Sequence, residues 1–172
     1  MKKTLVRIAL ILEVVLILAM IWYFSSQNRG SSSNLSQSIT RWLLEHFRPG
    51  FADLAVREQR AMIRKMNSVI RKCAHFGEFA LMGQALFCLV KVMKETMETK
   101  RIMAIAFTCS ALFAAGDELH QHFVAGRGPQ VRDVLIDVLG ALTGILISVW
   151  ILSRWRAGKT AVNATVPDRH NV

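Results

Sequence analysis

Four apolar runs, each about as long as a bilayer is thick, constrain this chain more than any other feature. Residues 5–24 are apolar apart from Arg7 and Glu13, and residues 73–93 carry a few polar groups near their start. Residues 102–116 lead into an acidic segment, and 134–152 are nearly free of charge. About 20 residues rising 1.5 Å each span the hydrocarbon, so three runs suffice alone and the third suffices if it continues through Phe123. The expected fold is all-α: a polytopic bundle of four transmembrane helices near 5–24, 70–92, 102–123 and 133–152. They form one membrane domain over 1–152, followed by a polar tail at 153–172. With 52% hydrophobic residues in 172, the length suits one domain, and the apolar residues are gathered in runs rather than dispersed as in a soluble core.

The first run follows Lys2, Lys3 and Arg7 as a secretory signal would, but Trp22, Tyr23 and Phe24 stand where a small-residue cleavage site belongs. It reads as an uncleaved helix. Trp22, Tyr23 and Trp42 serve as interfacial aromatics on one side, Trp150 and Trp155 on the other. The short basic segments fall on a single side of a four-helix topology: Lys2, Lys3 and Arg7; Lys91, Lys94, Lys100 and Arg101; Arg154, Arg156 and Lys159. By the positive-inside rule both termini are then cytoplasmic, with 25–68 and the turn near 126–132 outside. Arg57, Arg60, Arg64 and Lys65 make the long outer loop basic too, but long loops weigh less in that rule.

Within the outer loop, residues 25–38 are rich in Ser, Asn and Gln and read as turns. Residues 37–47 and 51–66 place apolar side chains at helical spacing, broken apart by Pro49-Gly50, and predict two short amphipathic helices. These lie either on the outer membrane surface or over the bundle. The net charge of +10 does not point to nucleic acid, because the basic residues flank apolar spans without forming a stripe with interleaved aromatics; anionic lipid headgroups are the natural counterions. Cys73, Cys88 and Cys109 fall inside predicted helices without CxxC spacing and read as small buried apolar residues.

Against this apolar background the ionisable residues stand out, since charge at membrane depth is costly and usually marks a site. Arg71, His75 and Glu78 lie at i, i+4 and i+7 on the second helix, beside Lys72. Asp117, His120 and Gln121, at i, i+3 and i+4, likewise line one stripe of the third helix, with Glu118 about 100° round. Asp133 and Asp137 share a face of the fourth, which Gly140 and Gly144 continue as a GxxxG that admits another helix closely. The predicted topology sets all three groups at one depth on the outer side.

These residue types permit acid–base chemistry, with His75 or His120 beside a carboxylate, and two histidines with Asp117 or Glu118 can also hold a divalent metal. Neither pattern specifies a metal or a cofactor, and none is expected. The chain lacks HExxH, a nucleophile elbow and a phosphate-binding glycine loop. The structural alternative is an ion-pair network pinning three helix ends together. The turn Gly126-Arg127-Gly128-Pro129 offers Arg127 either to a phosphate or carboxylate or to Asp117 or Asp133.

The linked motifs resemble those of the VanZ-like family of bacterial membrane proteins. They are Tyr23-Phe24-Ser25-Ser26-Gln27, Arg71-Lys72-x-x-His75-Phe76-x-Glu78-Phe79, Asp117-Glu118-Leu119-His120-Gln121-x-Phe123-x-x-Gly126-Arg127, then Asp133-Val134 and Asp137-x-x-Gly140. The resemblance covers roughly residues 5–152 and implies a four-helix protein of the bacterial cell membrane; the founding member is associated with resistance to the glycopeptide teicoplanin. By position it implies signature roles for Arg71, Lys72, His75, Glu78, Asp117, Glu118, His120, Gln121, Arg127 and Asp133. Asp137 stands where an Asn is expected and Phe79 where a Tyr is common.

Two classes of function follow. In one, the protein is an envelope factor whose outer pocket binds an anionic or lipid-linked headgroup through Arg71, Lys72, Gln121, Arg127, Asp133 and Asp137, so that membrane lipids and lipid-linked envelope precursors are its partners. In the other, His75, Glu78, Asp117, Glu118 and His120 are catalytic on such a substrate. A third reading, proton-coupled transport, needs a homo-oligomer and uses Glu13 as an inner relay, whereas a simpler role for Glu13 is a bond to a buried partner such as Gln84.

Overall fold

The computed structural model describes the backbone of residues 2–26, 29–124 and 131–165, and the side chains of all of these except 29–33, 35 and 159–165. Among the described residues five helices follow one another: α1 (Lys2–Ser26), α2 (Arg29–Phe47), α3 (Val56–Met93), α4 (Thr99–His122) and α5 (Val131–Thr165). Four of them, α1, α3, α4 and α5, are long and apolar enough to cross a membrane. Helices suit such runs because each backbone N–H and C=O is bonded within its own segment, where hydrocarbon offers no partner.

α3 and α5 form the most extensive pairing, and α4 packs against both. Three glycines set how closely α3 and α5 approach. A Cβ on Gly140 would overlap the Phe76 carbonyl, one on Gly144 the Ala80 carbonyl, and one on Gly83 the Ala141 carbonyl. Small residues are what let membrane helices bring their backbones together. Around this crossing lies a core that includes Phe79, Met82, Phe87, Ile102 and Ile145. α1 joins it along Val14, Ile17, Leu18 and Ile21, while Leu5, Leu12 and Leu16 point outward, as lipid-facing side chains do. Ser110 and Ser148 donate to the carbonyls of Ala106 and Gly144 four residues back, which satisfies their hydroxyl hydrogens within their own helices.

The bundle has two unlike ends. At one, the start of α1 meets the turn between α3 and α4: Lys3 Nζ donates to both Glu95 carboxylate oxygens at 2.9 and 3.0 Å, and Arg7 reaches the Val92 carbonyl at 3.5 Å. At the other lie the end of α1, the middle of α3, the end of α4 and the start of α5. Trp22, Tyr23 and Trp42 are exposed toward the second end, and Trp150 and Trp155 toward the first, where Arg154 lies over the Trp150 ring.

Between α1 and α3 the observed helices depart from the expected ones. Residues 51–66 do not make a separate amphipathic helix: α3 runs unbroken for 38 residues, about 57 Å at 1.5 Å per residue, and absorbs most of that segment into the second span. No proline or glycine interrupts it before Gly77. The serine-rich stretch expected as turns is helical from Arg29, with Ser36 and Thr40 buried and the Thr40 hydroxyl bonded to the Ser36 carbonyl. α2 ends before Pro49, and Gly50 takes a left-handed φ of 75° that an L side chain rarely adopts. The chain then folds back, burying Phe51 with Leu44 and Ile63 in a satellite core. Gln59 secures the turn through the Ala52 and Leu54 carbonyls. α5 likewise continues past 152 to Thr165, through Arg- and Lys-bearing residues that favour helix.

Candidate functional site

The helix pairing carries the polar residues of α3, α4 and α5 to one end of the bundle. Asp117, Glu118 and Gln121 of α4 and Asp137 of α5 are buried, and His75 and Glu78 of α3 retain only 19% and 13% side-chain exposure. Arg71 and Lys72 are half-buried toward the outer end of the cluster, as is Asp133. The cluster is thus graded, with Arg71, Lys72 and Asp133 at the rim and Asp117, Glu118 and Asp137 inside.

The close approach of α5 to α3 over Gly140 and Gly144 seats Asp137 opposite His75. One donor atom each from His75, Asp117 and Asp137 lies within 4.8 Å of the other two. The His75 Nδ1 stands 3.8 Å from a Glu78 carboxylate oxygen. Gln121 donates from Nε2 to the Asp117 carboxylate at 2.7 Å, one turn along the same helix, and so fixes that group's orientation. Lys72 Nζ lies 3.8 Å from Asp133 and ties α3 to α5 at the rim. Asp137 is 2% exposed, yet its Oδ1 has no hydrogen-bond partner. Asp117, Asp133, Glu118 and Glu78 all lie close enough to act electrostatically on Asp137. Five carboxyl groups therefore share one largely desolvated space with one imidazole and, among the described residues, two basic side chains.

His120 is turned elsewhere. Its ring stacks on Trp22 of α1 with centroids 4.2 Å apart and planes at 21°, and its Nε2 is hydrogen-bonded to Ser26 Oγ at 3.2 Å. Two histidines facing one metal or one substrate are not what the fold builds: His75 belongs to the carboxylate cluster, while His120 anchors the end of α1. Arg127 lies outside the described residues. Two contributors are not apparent from the sequence: Trp22, legible there only as an interfacial aromatic, and Gly83, whose one signal is its position seven residues after Phe76, on the stripe that faces α5.

An apolar groove of about 450 Å³ runs along α1 and α4 to this site. It is lined by Leu18 and Trp22 of α1, Phe79 of α3, and Leu112, Phe113 and Asp117 of α4. Its size falls within the range of small-molecule sites, roughly 300–1,000 Å³.

Fold and site together define a multi-pass, all-helical membrane protein with a cluster of mostly buried ionisable side chains at one end of the bundle. The model of the VanZ/LLP1 family matches residues 10–152, and the chain belongs to that family. No curated protein and no solved structure matches it.

Proposed function

We propose that the pocket receives the headgroup of an anionic or lipid-linked envelope component while its hydrocarbon chain lies in the groove beside α1 and α4. The observation that carries this reading is the junction at Asp117, where the apolar groove meets a buried set of acid, amide and imidazole groups rimmed by Arg71 and Lys72. In this reading the pocket faces the cell exterior and both termini are cytoplasmic, as the basic residues clustered at the opposite end of the bundle favour. Occupying or shielding lipid-linked precursors at that face connects the protein to glycopeptide resistance of the teicoplanin type.

Purified protein in lipid nanodiscs, probed by native mass spectrometry with phosphatidylglycerol and with a lipid-linked precursor, tests the binding. The wild type retains one or both, and the Arg71→Ala/Lys72→Ala variant loses them; equal retention would remove the rim from the site. Placement is tested on a cysteine-free background: the residue introduced by Gly126→Cys should react with an impermeant thiol reagent in intact cells. Protection until the membrane is opened would reverse the topology.

A catalytic reading is favoured by one observation, His75 standing among Glu78, Asp117 and Asp137, an arrangement fit for general acid–base transfer. A deletion strain complemented with wild type or His75→Ala separates the two readings. A lipid species that accumulates on deletion and disappears only with wild type indicates turnover. An unchanged lipid profile with a changed teicoplanin susceptibility indicates binding alone.

A further inference from the structure

We propose that His75, Asp117 and Asp137 form a binding site for a divalent transition-metal ion of the zinc or manganese type. One imidazole nitrogen and two carboxylates make a mixed N/O donor set suited to those ions. They come from three different helices and converge within 4.8 Å. Donors about 2.0–2.2 Å from a common ion stand roughly 3–3.5 Å apart, so binding requires a modest closing of these side chains. Rotation of the aspartate carboxylates supplies movement of that kind.

The second observation is Asp137 itself. Its carboxylate is 2% exposed, lies among the other donors and leaves Oδ1 without a hydrogen-bond donor. A buried carboxylate oxygen without a partner is costly and uncommon in folded proteins. Four further carboxyl groups, Asp117, Asp133, Glu118 and Glu78, act electrostatically on it, and Lys72 is engaged with Asp133 at the rim. A divalent ion satisfies the open oxygen and offsets the clustered acid in one step.

The surrounding groups complete the case. Gln121, bonded to Asp117 at 2.7 Å, is a positioning residue that orients a metal-bound carboxylate, and Glu78, 3.8 Å from the His75 ring, is within reach as a further ligand. The site deepens the headgroup reading, because a metal ion in an acid-lined pocket recruits phosphate where the carboxylates alone would repel it. Ion binding itself needs no lipid, so the two ideas fail separately.

The test uses the full chain in detergent, stripped with chelator and then titrated with Zn²⁺ and with Co²⁺ in the absence of added lipid. Elemental analysis after gel filtration should give one ion per chain, and the Co²⁺ form should show visible absorption bands of an N/O-ligated site. Asp137→Asn and His75→Gln should each lose stoichiometric binding, Gln121→Ala should weaken it by about 10- to 100-fold, and Glu95→Gln, at the opposite end, should not change it. Binding that is substoichiometric, or that persists equally in Asp137→Asn and His75→Gln, overturns the proposal. Should those two variants fail to fold, the wild-type Co²⁺ spectrum decides: bands without nitrogen ligation, or none, overturn it. Retained lipid binding after such a failure would leave the headgroup reading standing.

Discussion

The two ends of the bundle both carry charge, but they carry it differently. At the Lys3–Glu95 end the paired side chains are 74% and 51% exposed, and water and salt screen them. At the His75–Asp137 end, acidic side chains outnumber basic ones among the described residues and are drawn out of water. An exposed pair of this kind orders a turn at little gain or loss in stability. A buried acid-rich cluster opposes folding unless something compensates it, so its retention argues for a task beyond holding helices together.

The contrast can be broken at the scaffold that both ends share. Gly144→Leu forces a side chain into the Ala80 carbonyl and should cost about 3 kcal/mol or more; chemical unfolding in detergent micelles checks it, and wild-type stability would refute the close α3–α5 crossing. At the buried end, Gln121→Ala removes the donor from Asp117 and should cost about 1–3 kcal/mol in the metal-free protein. His120→Ala forfeits the Trp22 stack and should cost about 0.5–1.5 kcal/mol, with increased hydrogen exchange at the end of α1 as its local readout. The smallest effect belongs to the exposed end. Hydrogen bonding from the Lys3 ammonium, with its charge, holds the Glu95 carboxyl below its ordinary value of 4.5. A depressed folded-state pKa stabilises above the unfolded value and loses that contribution as pH falls through the folded one. Between neutrality and acid pH, Lys3→Met should therefore differ slightly from wild type at pH 7 and converge with it at low pH, and 0.5 M salt should abolish the difference. A salt-resistant gap would mean that this end is less open to water than its exposure indicates.

The spans were legible because a run of twenty apolar residues has few ways to satisfy its backbone in lipid. The depth shared by His75, Asp117 and Asp137 was legible as well, since alternating crossings bring the end of α4 level with the start of α5. The continuity of α3 was harder to read. The basic character of Arg57, Arg60, Arg64 and Lys65 marks a segment outside the hydrocarbon, yet the same residues are good helix formers and give no reason to stop. His120 was misleading for a related cause: spacing puts it on a stripe with Asp117, but a partner on α1, Trp22, decides where the ring turns. Periodicity assigns faces, whereas tertiary contacts choose between neighbours on one face. Gln121 and Asp117, one turn apart, needed no such information.

The unbroken course of α3 makes it a lever. Its first turns are fixed to α2 by the satellite core around Phe51 and Ile63, and its later turns carry Arg71, Lys72, His75 and Glu78. No joint separates grip from load. A tilt of the α2–α3 hairpin would therefore shift His75 relative to the two aspartates facing it, with no bend in between to absorb the movement.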